Sequence, residues 1–359
     1  MPGTAIDTAQ RRDTYRLFRL NGQPIFAVPT KPRRLRLAGI ARYQPISPKR
    51  AAYRRLIRLL MQLGADGLVS RAVADPVDRV GDPTRNFDLE SWLKHVRKDL
   101  DKAATCAVFW PPQRERGRVY VHIFGSDLRP IGFAKVSFDE ENDIRLDREE
   151  QMLRDLAGDG LRTFRVPHVL SAWRDKATGH ASLVMEAIPE SARPLPNAED
   201  SYPAACVAEF AREPRRMSAA DLQQTSWWAA FESNLGLDHP AFTAHIRTHL
   251  EAQEGAKVCR THGDFGRANI VLHGETPWIF DWEESHPDGP VMSDDVSFYL
   301  DVNKPRSSSD SATVIAGLRD RFSTDADPVR RVAVMLALAF RSTVAPRSAG
   351  GLISHWNQL

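Results

Sequence analysis

The chain has 359 residues, 42% of them hydrophobic and 26% charged, and 49 Lys+Arg against 46 Asp+Glu give a net charge of +3. These values are ordinary for a soluble globular protein and exclude collagen, a disulfide scaffold and wholesale disorder. The length predicts about two to three domains, or two lobes plus an extension. The longest strong apolar run, Val332 to Phe340, sits between Arg331 and Arg341 and falls well short of the about 20 residues a spanning helix needs. No basic stretch followed by an apolar one opens the chain, so no signal peptide is expected. Cys106, Cys206 and Cys259 are far apart and show no CxxC spacing, which predicts reduced thiols in a cytoplasmic protein.

Charge is uneven. Residues 1–60 hold 14 Lys+Arg and two acids, Asp7 and Asp13, a local charge of +12. Such asymmetry points to an anionic counterpart for the N-terminal part: lipid headgroups, a phosphorylated substrate, nucleic acid or the protein's own acidic lobe. A solvated or internally paired face is the plainer alternative. Nucleic acid is disfavoured, because no basic–aromatic array and no zinc motif accompany the charge.

In chain order, residues 1–46 are Arg- and Pro-rich and read as turns and short strands. Ser47 and Pro48 open a basic amphipathic helix over 47–63, with Tyr53, Leu56, Ile57, Leu60 and Leu63 or Gly64 on one face. That face either packs on the main domain or rests on an anionic membrane surface. Residues 64–86 read as loop. Asp88 caps a helix over about 89–103. Period-two patterns then predict strands at Arg118–Phe124 and Ile131–Phe138. A helix follows from Asp147 to about Leu156, and a strand over Ser182–Glu186. Beyond Pro189 and Pro194 the chain reads as helical at about 205–212, 219–234 and 240–253, with a strand at Lys257–Thr261, a hairpin and further helix to about 342. Strands before helices predict an α+β protein: an extension over 1–103, a sheet-rich lobe over 104–189 and a larger helical lobe over 190–359.

The chemistry concentrates in Thr261-His-Gly-Asp-Phe-Gly-Arg-Ala-Asn269 and Ile279-Phe-Asp-Trp-Glu283. Two apolar runs, Ile270–Leu272 and Trp278–Phe280, flank a turn at His273 to Pro277. Folded as a hairpin, they bring Asn269 and Asp281 together at the open end. An amide oxygen beside a carboxylate suits a hard cation such as Mg²⁺. Asp264, in the loop entering the same corner, is a candidate base for an attacking hydroxyl.

His262-x-Asp264-x-x-x-x-Asn269 followed by Asp281 resembles the catalytic loop and metal aspartate of the protein-kinase-like phosphotransferases. Gly263 and Trp282-Glu283 are similar to the aminoglycoside phosphotransferase and choline kinase branch. The resemblance covers about residues 105–345. It implies a bilobal kinase-like fold with a small antiparallel-sheet lobe, Asp264 as base, His262 orienting the loop, and Asn269 plus Asp281 as Mg²⁺ ligands. It also implies Lys135 on a strand for the α/β-phosphates, paired with Glu149 (alternatively Glu150). A hinge at Met185, Glu186 and Ala187 would bind the base of ATP, with GTP left open. Asp295, with Asp294 competing, resembles the family's later aspartate. Arg267 is a candidate for touching phosphate or acceptor, or for a plain salt bridge.

The sequence also departs from that pattern. Val108 to Arg118, where a phosphate-covering loop belongs, has only Gly117, and Arg114, Arg116 or Arg118 would have to substitute by charge. Gly263 replaces the arginine of protein kinases, so the acceptor is expected to be a small-molecule hydroxyl. Residues 311–359 hold three acids against six arginines, which favours a neutral or anionic acceptor such as a sugar, polyol or lipid-linked precursor over a polycation. Trp227-Trp228 would stack on a sugar or fill the core. Glu283, Glu284 and His286 would contact the acceptor or be solvated. The competing expectation is a non-catalytic kinase-like scaffold docked on a membrane or a partner enzyme.

Overall fold

The structure is a computed structural model that describes residues 14–42, 48–73, 88–111, 117–176, 178–196, 199–304, 308–322 and 324–356. It divides into two compact units. One comprises the chain through Glu150 together with His168–Ile188, and the other Gln151–Pro167 together with Pro189 onward.

The first unit is built on an eight-stranded antiparallel sheet. Its strands are β1 (Tyr15–Leu20), β2 (Gln23–Pro29), β3 (Ser70–Val73), β4 (Ala103–Phe109), β5 (Arg118–Gly125), β6 (Pro130–Ser137), β7 (Val169–Arg174) and β8 (Ala181–Met185), in the order β3-β1-β2-β4-β5-β6-β8-β7. The helices are α1 (Arg33–Arg42), α2 (Pro48–Leu63), α3 (Leu89–Asp99) and α4 (Glu140–Gly158), the last running on into the second unit.

Alternation along the strands sorts side chains to two faces. Val108, Val119, Val121, Ile123, Ala134, Val136 and Val184 join α3 residues Trp92, Leu93 and Val96 in one cluster. Phe109 and Phe124 join Phe18, Phe26, Leu35 and Ile40, with Ile57 and Met61 of α2, in the other. Asp88 caps α3 by accepting from the backbone N–H groups of Glu90 and Ser91, as a short side-chain oxygen at this position does.

The N-terminal region differs from the sequence expectation. Residues 15–29 and 70–73 contribute three strands to the common sheet, β1 to β2 and β3, and β2 to β4. They are therefore not set apart from it as an extension. Residues 33–42, expected as turns and short strands, form α1, which packs Leu35, Gly39 and Ile40 inward. Residues 70–73, expected as loop, form β3. The strands β4 and β7 were not expected, and α4 begins at Glu140, seven residues before the expected start. Asp139 receives the Asn142 N–H at 2.7 Å and so supplies a start signal upstream of Asp147. Ser47 and residues 74–86 of the expected loop lie outside the described residues.

The second unit is largely helical. It contains β9 (Arg193–Pro194), α5 (Ala204–Ala211), β10 (Arg215–Met217), α6 (Ala219–Gln223), α7 (Ser226–Phe231), α8 (Pro240–Ala252), β11 (Ala256–Thr261), β12 (Ile270–His273), β13 (Thr276–Ile279), β14 (His286–Pro290), α9 (Ser293–Val302), α10 (Ser308–Arg321), α11 (Pro328–Val344) and α12 (Pro346–Trp356). The apolar run of α11 is its core: Val334, Met335, Leu336, Leu338 and Phe340 pack among Trp228, Phe231, Phe242, Ile246, Ile315 and Ile353. No described helix is long and apolar enough to cross a membrane. Trp227 and Trp228 are both buried in this core, and Trp227 meets Phe340 edge to face. Burying a large apolar side chain contributes about 1.5–3 kcal/mol, so this pair serves packing and offers no ring to a sugar.

Candidate active site

In the first unit, Lys135 sits on β6 with Tyr120 of β5 and Leu183 of β8 opposite. Its Nζ lies 2.7 Å from Glu149 Oε2, with side chains 5% and 0% exposed. Glu149, and not Glu150, makes this pair. Two charges so deeply buried are tolerated only when joined, because an isolated one would forfeit its hydration.

Met185 is buried at the end of β8, and Glu186 and Ala187 are half-buried. The Glu186 N–H donates to His168 O at 2.8 Å. The next carbonyl, Ile188 O, accepts from Arg42 Nη1 of α1 at 3.1 Å. Gly117 is committed to a close approach, since a Cβ there would meet Asp139 Oδ2 at 2.4 Å. Arg118 is buried over the Tyr120 ring. Arg114 and Arg116 lie outside the described residues.

In the second unit, β11 leads into the loop that carries His262, Asp264 and Asn269. His262 is fully buried; its Nε2 lies 3.0 Å from Phe280 O, and its ring packs against Trp282 at 4.5 Å. The backbone N–H groups of His262 and Gly263 donate to Asp294 Oδ2 and Oδ1 at 2.8 and 3.0 Å. Asp294 therefore holds the loop, which corrects the preference for Asp295. Asp295 instead accepts from Tyr202 Oη at 2.6 Å. Burial pushes the Asp294 carboxyl up to about 7, against the pull of the two N–H donors. Gly263 adopts φ +85°, and a Cβ there would fall 2.1 Å from Glu284 O. Only glycine satisfies both conditions.

The Asp264 side chain is 40% exposed. Arg341 of α11 places Nη1 2.5 Å from Asp264 Oδ1 and 3.4 Å from Gly263 O. Asn269 donates Nδ2 to Asp264 O at 2.9 Å. Its amide donor is thus spent within the loop, and the amide oxygen is the atom left for a cation.

The hairpin pairs Ile270 with Ile279, and Phe280 N–H donates to Asn269 O at 3.1 Å. That bond sets Asp281 beside Asn269 at the open end. The turn is tighter than expected, at Gly274 and Glu275. Asp281 itself has φ +70° and ψ 52°, a left-handed conformation that costs a residue with a side chain about 1 kcal/mol or more. Oxygen donors from an amide and a carboxylate fit a hard divalent cation such as Mg²⁺.

Of the two readings open for Arg267, contact with phosphate or acceptor or a plain salt bridge, the structure shows the salt bridge, to Asp301. Its N and Nε donate to Asp301 Oδ2 at 2.9 and 3.1 Å, and its Nη2 to Asp301 O at 3.3 Å. The guanidinium therefore anchors the loop to α9. Glu283 is buried, and His286 Nδ1 accepts the Asp288 N–H at 3.0 Å. Arg341 was not singled out from the sequence. It follows an apolar run 77 residues beyond Asp264, and nothing local marks it.

No protein-family model matches the chain, and no curated protein does. Among solved structures the chain is similar to aminoglycoside phosphotransferases and to a choline/ethanolamine kinase family protein. Aminoglycoside phosphotransferase APH(4)-Ia aligns with a TM-score of 0.49 at 11% identity, over 76% of this chain and 98% of that one. The choline/ethanolamine kinase family protein from Mesorhizobium loti aligns with a TM-score of 0.41 at 12% identity, over 76% and 98%. The GDP and kanamycin complex of APH(2")-IIia aligns with a TM-score of 0.43 at 11% identity, over 75% and 96%. At such identities the likeness is one of chain path and not of chemistry.

Proposed function

We propose that the protein is a phosphotransferase that moves the γ-phosphoryl group of ATP to a hydroxyl of a small molecule. The observation that carries this reading is the corner formed by Asp264, Asn269 and Asp281, in which Asn269 brackets Asp264 and the hairpin register delivers Asp281. Asp264, its side chain 40% exposed, takes the proton of the attacking hydroxyl. Arg341 orients it. Asn269 and Asp281 would hold Mg²⁺, whose chemistry when bound is to neutralise phosphate charge. Lys135, held by Glu149, binds the α/β-phosphates, and the backbone at Met185, Glu186 and Ala187 receives the base. Most of the rate enhancement comes from positioning and charge neutralisation.

Arg341 beside the base, and the scarcity of acids in residues 311–359, favour a neutral or anionic acceptor over a polycation. The test is incubation with Mg²⁺ and γ-labelled ATP, or GTP, in a deproteinised cell extract, with D264N as control. Label moving to a soluble or lipid product only with the wild-type protein supports the reading and delivers the acceptor. No mutant-sensitive transfer with either nucleotide would leave the scaffold alternative.

A further inference from the structure

The helix α2 carries Lys49, Arg50, Arg54, Arg55 and Arg58 and no acidic residue. Its apolar side chains do not all go inward, as one packed stripe would require. Ile57 and Met61 are fully buried against the sheet, whereas Leu56, Leu59 and Leu63 are 48%, 52% and 71% exposed. Leu68, in the turn that follows, is 83% exposed. A helical step of about 100° per residue places Leu56, Leu59 and Leu63 within an arc of about 60°. Lys49 borders that arc on one side, with Arg55 and then Arg58 on the other. Single exposed leucines are ordinary, but a contiguous set on one helix face marks an interaction surface.

The charge pattern selects the occupant. Among the described residues, Lys49, Arg50, Arg55 and Arg58 have no ion-pair partner. A second copy docked on the same face by two-fold symmetry would set these cations against their own counterparts. Protein hot spots are enriched in Trp, Tyr and Arg and poor in Leu, whereas the centre of this exposed arc is built of leucines. Leucines flanked on both sides by cations match an interface in which apolar groups enter the acyl boundary and cations meet phosphates.

We propose that the outer face of α2 docks the protein on an anionic lipid surface, with Leu56, Leu59 and Leu63 inserted and Lys49, Arg55 and Arg58 on the headgroups. This inference is independent of the catalytic reading. The test is flotation of the full chain with phosphatidylcholine vesicles and with vesicles containing phosphatidylglycerol. The wild type should float with the anionic vesicles only. R55E/R58E should weaken that binding by about tenfold or more, because each cation near the surface contributes substantially. L56Q/L59Q/L63Q should abolish the part that survives high salt. Both variants alter exposed positions, and unchanged urea midpoints verify their folding.

Absence of flotation, equal binding to neutral vesicles, or indifference to both variants would overturn the proposal. A wild-type dimer broken by the leucine substitutions would reassign the face to a second copy. Equal binding to soluble polyglutamate, unaffected by those substitutions, would reassign it to an acidic protein.

Discussion

Arg341 Nη1 stands 2.5 Å from Asp264 Oδ1. The group assigned as base is therefore fixed by a guanidinium from α11, a helix whose apolar run up to Phe340 packs in the core of the second unit. D264N should lower phosphoryl transfer by about 10²–10⁴-fold, the range for a positioned general base, with the melting temperature nearly unchanged. R341K, which keeps charge but loses the planar donor array, should lower kcat more than it raises KM for nucleotide. Steady-state rates and thermal melts on both variants check this, and a D264N enzyme with full activity would remove Asp264 from the mechanism.

Lys135 and Glu149 are a second coupled pair. Removing one partner of a buried ion pair leaves an uncompensated charge and costs about 3–5 kcal/mol. K135M and E149Q should each shift the urea midpoint strongly downward. The double variant should be far more stable than the sum of the two singles implies. Additive losses in this double-mutant cycle would show that the two side chains do not depend on each other.

Stability should depend on pH through Asp294. Burial raises its carboxyl to about 7, with Asp295 adding to the rise and Arg341 and the loop N–H groups opposing it. The unfolded carboxyl titrates near 3.8. The folded protein holds the extra proton between these values. The contribution is thus full below the unfolded value and is lost as pH rises through about 7. D294N mimics the protonated form and should flatten that slope. One loop N–H loses its acceptor in the variant, at about 1–3 kcal/mol. Urea titrations of both proteins across this range would refute the assignment if their slopes coincide.

Gly263 should tolerate no side chain. Its φ of +85° is unfavourable for other residues, and a Cβ would collide with the Glu284 carbonyl at 2.1 Å. The backbone term alone is about 1–3 kcal/mol, and the collision adds to it. G263A should lower the melting temperature and disturb the loop together, and an unchanged melting curve would contradict the geometry.

The sequence makes the local parts of this arrangement legible. Two equal apolar runs around a turn specify the β12–β13 hairpin, and the hairpin by itself places Asn269 near Asp281. Period-two patterns likewise specify β5 and β6, and with them the position of Lys135 on a strand. What lies far apart in the chain is not marked. Arg341 and Asp264 meet because α11 packs beside the loop, and no short-range pattern encodes that. Asp294 and Asp295 are adjacent and identical, so which of them reaches His262 follows from how α9 is rotated in the core. The helix α1 escapes notice because Arg33, Arg34 and Arg36 hide its apolar residues, and packing on β2 supplies what local propensity does not. The N-terminal strands escape for a similar reason, since a short segment becomes a strand when a neighbour offers its edge.

The join between β2 and β4 rests on two registered positions, Phe26 with Phe109 and Ala27 with Val108. The strand it covers, Ala-Ala-Thr-Cys-Ala-Val-Phe, has no charge and no proline. Such a strand has none of the usual guards against pairing with a foreign chain. Trimming the protein back to the stretch that resembles phosphotransferases would uncover that edge along its whole length. A shortened chain would then aggregate through β4 in place of yielding a minimal enzyme, so the N-terminal strands protect solubility whatever else they do.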